Sequence, residues 1–333
     1  MALLEIRESL DRSGTLDRGL RRDLIRTYGK LSEVLLFVGR RDEAMEQSRK
    51  LVALAEGLAA ADPHNFDDQR NLASAYLDIG WKQALGGNWQ AGLANARWAV
   101  ALFERQLAQR PNDPGAQWRL ALACERTGGI LANNTGAHDD ALALHRKELA
   151  LTEQMIAADP LNARVRRLRA YAHFSIGNDL MVAGDATAAR SQLEQALAEF
   201  EKQSAADPKN AELRLDIARG SGLVAQAAIS AGKAAEAIAP LRKALAMLRD
   251  LPPSPEQAAQ TATDRFRLGE AHRLIGESLG TRSRIAEALS WYRQCLPGLE
   301  EARQRGVLQG RDLEIVEQAR AGIRKCEEAL AIK

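Results

Sequence analysis

The sequence predicts an all-α protein, a solenoid of helix-turn-helix repeats of about 48 residues each. Three observations carry this. A phrase recurs as Ala61-Asp62-Pro63-His64-Asn65, Arg110-Pro111-Asn112-Asp113, Ala158-Asp159-Pro160-Leu161-Asn162 and Ala206-Asp207-Pro208-Lys209-Asn210, so its prolines fall at intervals of 48, 49 and 48. A second series, Gly39, Gly87, Gly136, Gly184 and Gly232, keeps the same period out of phase with the first. Ala, Leu, Arg, Glu and Gln dominate and β-branched residues are sparse, which favours helix throughout.

Taken in order, residues 1–14 read as a partial leading helix with Leu3, Leu4, Ile6 and Leu10 apolar, ended by Ser13-Gly14. The chain thus begins in mid-repeat, as a piece of a longer protein would. Residues 16–251 hold five regular repeats, each a helix A, a glycine turn and a helix B. In the fourth, helix A is expected over Ala163–Ala183 and helix B over Ala186–Ala206. Gly184 supplies the positive φ that closes a helix, and Asp185 can cap the next. Pro160 cannot continue a helix, and Asn162 offers its side-chain oxygen to the free N–H groups of the new one. Asn210 repeats the device, and Asp113-Pro114 places proline at the first helical position. The sixth repeat, 252–306, is irregular. Pro240 is expected to kink the helix before it, and Leu251-Pro252-Pro253-Ser254-Pro255 to break the period. Ser283 stands in for the turn glycine there, and Pro297-Gly298 is expected to end the last helix B early. A capping helix closes the chain within 307–333, from about Asp312 to Ala331.

A chain of 333 residues would ordinarily hold two compact domains, but repeats that bury surface against their neighbours escape that arithmetic. The net charge of +2 makes no case for nucleic acid or an anionic membrane as partner. Even Arg164-Val165-Arg166-Arg167-Leu168-Arg169 has no aromatic interleaving and reads as a solvated helix face. Cys124, Cys295 and Cys326 form no CxxC pair and read as reduced, buried residues. No membrane segment or signal peptide is visible, so a cytoplasmic location is expected.

Small residues mark where the two helices of a repeat cross. Gly80, Gly129 and Gly177 precede their turn glycines by seven, and Gly92, Ala141, Ala189 and Ala237 follow by five. This pattern resembles the tetratricopeptide repeat (TPR) family, whose usual period is 34. Each helix here is longer by seven residues, two turns, which keeps the same face inward. The resemblance covers nearly the whole chain and implies a right-handed superhelix with helix A lining a concave groove. A narrower resemblance rests on Asp23-Leu24-Ile25-Arg26-Thr27-Tyr28-Gly29-Lys30-Leu31 and on 158–168. Both phrases look like the repeat region that follows the kinase domain in bacterial serine/threonine protein kinases, without any kinase signature.

Chemistry is harder to find. His138-Asp139-Asp140 with His145 puts two histidines two turns apart, about 10 Å, which is too far for one metal ion. No nucleophile–base pair, phosphate loop or nucleotide fingerprint is present, so no catalytic residue, metal or cofactor is expected. What does recur in phase is an arginine: Arg22, Arg70, Arg119 and Arg167, at intervals of 48, 49 and 48. Two readings stand side by side. Each guanidinium either pairs with a carboxylate or helix end of a neighbouring repeat, or faces the groove and grips an acidic peptide. The family resemblance adds Trp81, Ala84, Ile130, Asn133, Asn178, Met181, Gln226 and Ile229 as groove-lining positions. The amides of Asn133, Asn178 and Gln226 suit an extended peptide backbone, and Trp81 and Met181 suit apolar anchors. The expectation is a non-catalytic scaffold that binds a protein or peptide, the sensory or docking region of a bacterial signalling protein. The alternative is a ligand-responsive regulator of transcription that acts through a domain outside this chain.

Overall fold

The corner phrases start helices by the expected chemistry. Asn65, Asn162 and Asn210 each accept a hydrogen bond from the backbone N–H three residues on, at 3.2, 3.2 and 3.1 Å. Asp113 accepts from the N–H groups of Gly115 and Ala116 around Pro114. The structure, a computed structural model, describes residues 17–308 and 313–332. The leading helix expected over 1–14 therefore lies outside the described residues.

Two units divide the chain after Leu161. The first holds α1 (Arg18–Phe37), α2 (Arg41–Ala61), α3 (Phe66–Leu85), α4 (Trp89–Gln109), α5 (Pro114–Asn134) and α6 (His138–Ala158). The second holds α7 (Ala163–Val182), α8 (Ala186–Ala206), α9 (Ala211–Ser230), α10 (Ala234–Arg249), α11 (Pro255–Leu279), α12 (Arg282–Gln304) and α13 (Ile315–Ala331). Within each unit successive helices pack as hairpins, odd-numbered helices serving as A and even-numbered ones as B. The main contacts between alternate helices run A to A: α1 with α3, α3 with α5, α7 with α9 and α9 with α11. Helices A therefore line the inside of each stack.

What lets the hairpins close is small size at the crossing. A Cβ on Gly92 of α4 would stand 2.5 Å from the carbonyl oxygen of Gly80 on α3, and one on Gly80 2.7 Å from that of Gly92. Backbone thus meets backbone, and only glycine fits on either side. The third hairpin solves the crossing differently. Gly129, expected at the close approach, lies under the Trp81 ring with room to spare, while Gly128 faces the imidazole of His145. Other repeats carry Ile79, Ile176 or Val224 in register with Gly128, so the His145 ring fills space that an aliphatic side chain fills elsewhere. His145 is buried.

The irregular sixth repeat departs from expectation in three ways. Its turn glycine is Gly280, left-handed at φ 63°, and Ser283 lies inside α12. Gly280 follows Gly232 by the usual 48, so the period is kept. Only the corner has moved: α10 has 16 residues against the 21 of α8, and α11 has 25 against the 20 of α9. Pro252 and Pro253 stop the first, and Ser254, accepting from the Gln257 N–H at 3.0 Å, starts the second. Third, Pro297 does not end α12. Leu299 and Ala302 beyond it are held in the terminal core with Val316 and Ala319 of α13, and that packing outweighs the one lost backbone hydrogen bond. Helix α13 covers this end, with Gly322 set against the ring of the fully buried Tyr292.

The three cysteines are free and buried, and burial pushes the thiols of Cys124 and Cys295 up to about 12. No described helix is long and apolar enough to cross a membrane.

Candidate partner-binding groove

In the first unit the inner faces of α1, α3 and α5 bound a groove of about 430 Å³. Leu51 and Phe103, reaching through from α2 and α4, make its floor together with Ile25, Leu77 and Leu122. Its walls are charged: Arg26 and Glu33 on α1, Arg70 and Asp78 on α3, Arg119 and Arg126 on α5. An apolar floor between polar walls is the usual build of a binding groove.

The arginine ladder divides between the two readings. Arg22 donates from Nε to Asp68 at 2.7 Å and from Nη2 to Asn65 at 2.8 Å, so it ties α1 to the first turn of α3. Asp68 is fully buried; burial alone would raise its pKa, but Arg22 and Arg18 hold it below the usual carboxylate value. Arg167 behaves the same way in the second unit. It pairs with Glu212 at 2.8 Å and donates to the Tyr171 hydroxyl at 3.1 Å, and Tyr171 in turn donates to Asp216. These two serve the repeat.

The other two rungs face the groove. Among the described residues Arg70 pairs one turn back along its own helix, with Asp67 at 2.6 Å. Arg119 donates to the Gly115 carbonyl at 2.7 Å, and among the described residues no carboxylate lies within ion-pair distance of it. Burial, and next the charge of Arg70, lower its pKa, so two positive groups share one half-shielded space. On the opposite side the carboxylate of Asp78 is already engaged: it accepts from Ser48 at 2.7 Å and pairs with Lys82. With its proton given to Asp78, Ser48 accepts from Ser32 at 2.8 Å, and both hydroxyls are fully buried. This chain of contacts holds α1, α2 and α3 together beneath the groove.

The remaining expected residues do not gather there. Trp81 is half-buried against Gly129 of α5 and does not line the groove. Ile130 is 1% exposed and belongs to the core. Asn133 is exposed on the last turn of α5. Asn178, Met181 and Gln226 belong to the second unit, where Met181 packs against the cluster of Leu193, Val224 and Ala227. Arg26, Glu33, Asp78 and Arg126 were not singled out from the sequence. Arg126 carried a signal, since it lies two turns from Arg119 on the same helix face. Among the described residues no three His, Cys, Asp or Glu side chains gather as a metal site.

The architecture is that of the TPR-like helical repeat proteins. Among solved structures, the apo form of RapI aligns with a TM-score of 0.58 at 13% identity, over 98% of this chain and 79% of that one. BtubC (BKLC) from P. vanneervenii aligns at 0.54 and 14% identity, over 76% and 91% of the two chains. A putative kinesin light chain of Podosopora anserina, with nearly identical TPR-like repeats, aligns at 0.52 and 15%, over 72% and 100%. At these identities the likeness is one of fold. A scan against protein-family models and a search of curated proteins each give no match.

Proposed function

We propose that the chain is a non-catalytic protein-interaction scaffold that docks a peptide segment of its partner in the groove of the first unit. The observation that supports this most is the groove itself, an apolar floor inside three stacked A helices with arginines on its rim. The TPR-like fold of the neighbouring structures supports the same reading, because such stacks present side chains along a curved inner face. The set of ladder arginines is narrowed accordingly to Arg70 and Arg119, with Arg22 and Arg167 assigned to repeat packing.

The finer reading is the docking region of a bacterial signalling protein, supported by the likeness of 23–31 and 158–168 to kinase-associated repeats. A kinase reading frame joined directly to this one would support it; an unrelated enzyme domain there would count against it.

The test of docking is a blockade. Ser74 is exposed on α3 at the groove and, among the described residues, its hydroxyl donates to the carbonyl of Arg70 one turn back, so Ser74→Trp plugs the groove without disturbing the core. Partners captured by the wild type from native lysate and identified by mass spectrometry should be lost with Ser74→Trp at unchanged helicity. Full retention of every partner would remove the groove from the account.

A further inference from the structure

We infer that the groove selects an extended acidic peptide, one that sets two carboxylates about 10 Å apart over Arg119 and Arg126. This rests on the reading of the groove as a docking surface and adds what it recognises. The two arginines are seven residues apart on α5, so their backbone positions share one face two turns, roughly 10.5 Å along the axis, from each other, with the Arg119 guanidinium turned back to the Gly115 carbonyl. Neither has a carboxylate within ion-pair distance among the described residues. Their guanidinium groups, planar and five-donor, match carboxylate geometry better than any neutral ligand.

The groove does not neutralise itself. Asp78 is taken by Lys82 and Ser48, Arg26 by Asp23, and Arg70 by Asp67. Among the described residues lining the groove, Glu33, exposed on α1, is the carboxylate that has no ion pair; Asp113 and Asp67 offset the charge of Arg119 only from a distance. An incoming anion beside Arg119 would also relieve its repulsion with Arg70. The floor, where half-buried Leu122 lies over the buried Phe103, then accepts an apolar side chain between the two charges. An extended chain rises about 3.3 Å per residue, so carboxylates three positions apart span this distance. In a polyproline-type strand, residues three apart also return to the same side. The recognised pattern is therefore acid, two intervening residues with one apolar, acid.

The test is peptide phage display on the full chain, repeated with Arg119→Gln, Arg126→Gln and Ser74→Trp, each checked for helicity and melting. The account expects enrichment of acidic pairs three residues apart. A synthetic peptide of the selected sequence should bind the wild type about tenfold or more tightly than its glutamine analogue. Arg119→Gln should cost the acidic peptide a similar factor and the analogue little, which marks a direct pairing. Selected peptides that need an open groove yet carry no acidic pair would overturn this inference and leave docking intact. Peptides indifferent to Ser74→Trp, or a library that yields no binder, would overturn both.

Discussion

A single position can depart far from the repeat it sits in. Glu148 of α6 occupies the place of Ala99, Ala196 and Ala244, fully buried, with neither carboxylate oxygen hydrogen-bonded. Burial, and next the charge of Glu125, drive its pKa well above the ordinary 4.5. A carboxyl with a raised folded pKa stabilises the fold below its unfolded value, and that contribution is lost as pH rises through the folded one. Between ~pH 5 and ~pH 8 the wild type should therefore lose stability, and Glu148→Gln should lose visibly less. Asp264, buried and pushed up to about 6, gives a slope of the same sign and keeps the variant's profile from becoming flat. Urea midpoints at the two pH values check this; a steeper profile for Glu148→Gln would contradict it. The ladder offers a second contrast. Arg22→Ala strips a partner from buried Asp68 and should cost about 1 kcal/mol, reduced because Arg18 remains and Arg22 still meets water. Arg119→Ala should cost less than ~0.5 kcal/mol, since it removes no carboxylate pairing. Equal losses in denaturant melts would restore a purely structural ladder.

At the scale of elements, the crossings and turns govern stability. Gly92→Ala forces a methyl into the Gly80 carbonyl and should destabilise by about 1–3 kcal/mol, read by thermal unfolding. Gly280→Ala strains a left-handed residue for about 1 kcal/mol, while Ser283→Ala at an exposed helical position should be near neutral. Reversed magnitudes would mean that Ser283 holds the turn after all. Much of this level was legible in advance. Asp, Asn, Pro and Gly act through their own backbones and side chains, so the corner phrases place helix ends to within a residue at α7 and α8. The sixth repeat was less legible because two prolines drew attention to a broken period. Gly280 carried the missing beat, and α10 and α11 merely exchanged five residues of length. Pro297 was misread because local propensity cannot weigh the burial of Leu299 and Ala302 on its far side. Gly129 was expected at the crossing in place of Gly128, because the exchange of volume between Gly128 and His145 is visible only when the two helices are seen in contact.

At the scale of the molecule, a recurring residue need not have a recurring job. Arg22, Arg70, Arg119 and Arg167 share a register, yet their partners differ: Asp68 and Glu212 of the next repeat for the first and last, Asp67 of its own helix for Arg70 and, among the described residues, no carboxylate within ion-pair distance for Arg119. Every residue lining the groove lies between 25 and 126. The first unit alone, residues 1–161, should thus fold to a helical protein by circular dichroism and bind the acidic peptide with the affinity of the full chain. Hydrogen–deuterium exchange of the full chain, with and without the selected acidic peptide, reads out where the peptide docks. Exchange should slow in α1, α3 and α5 around Arg70, Arg119 and Arg126, and stay unchanged in α7 and α9. Slowed exchange in the second unit with the first unchanged would contradict docking in the first unit.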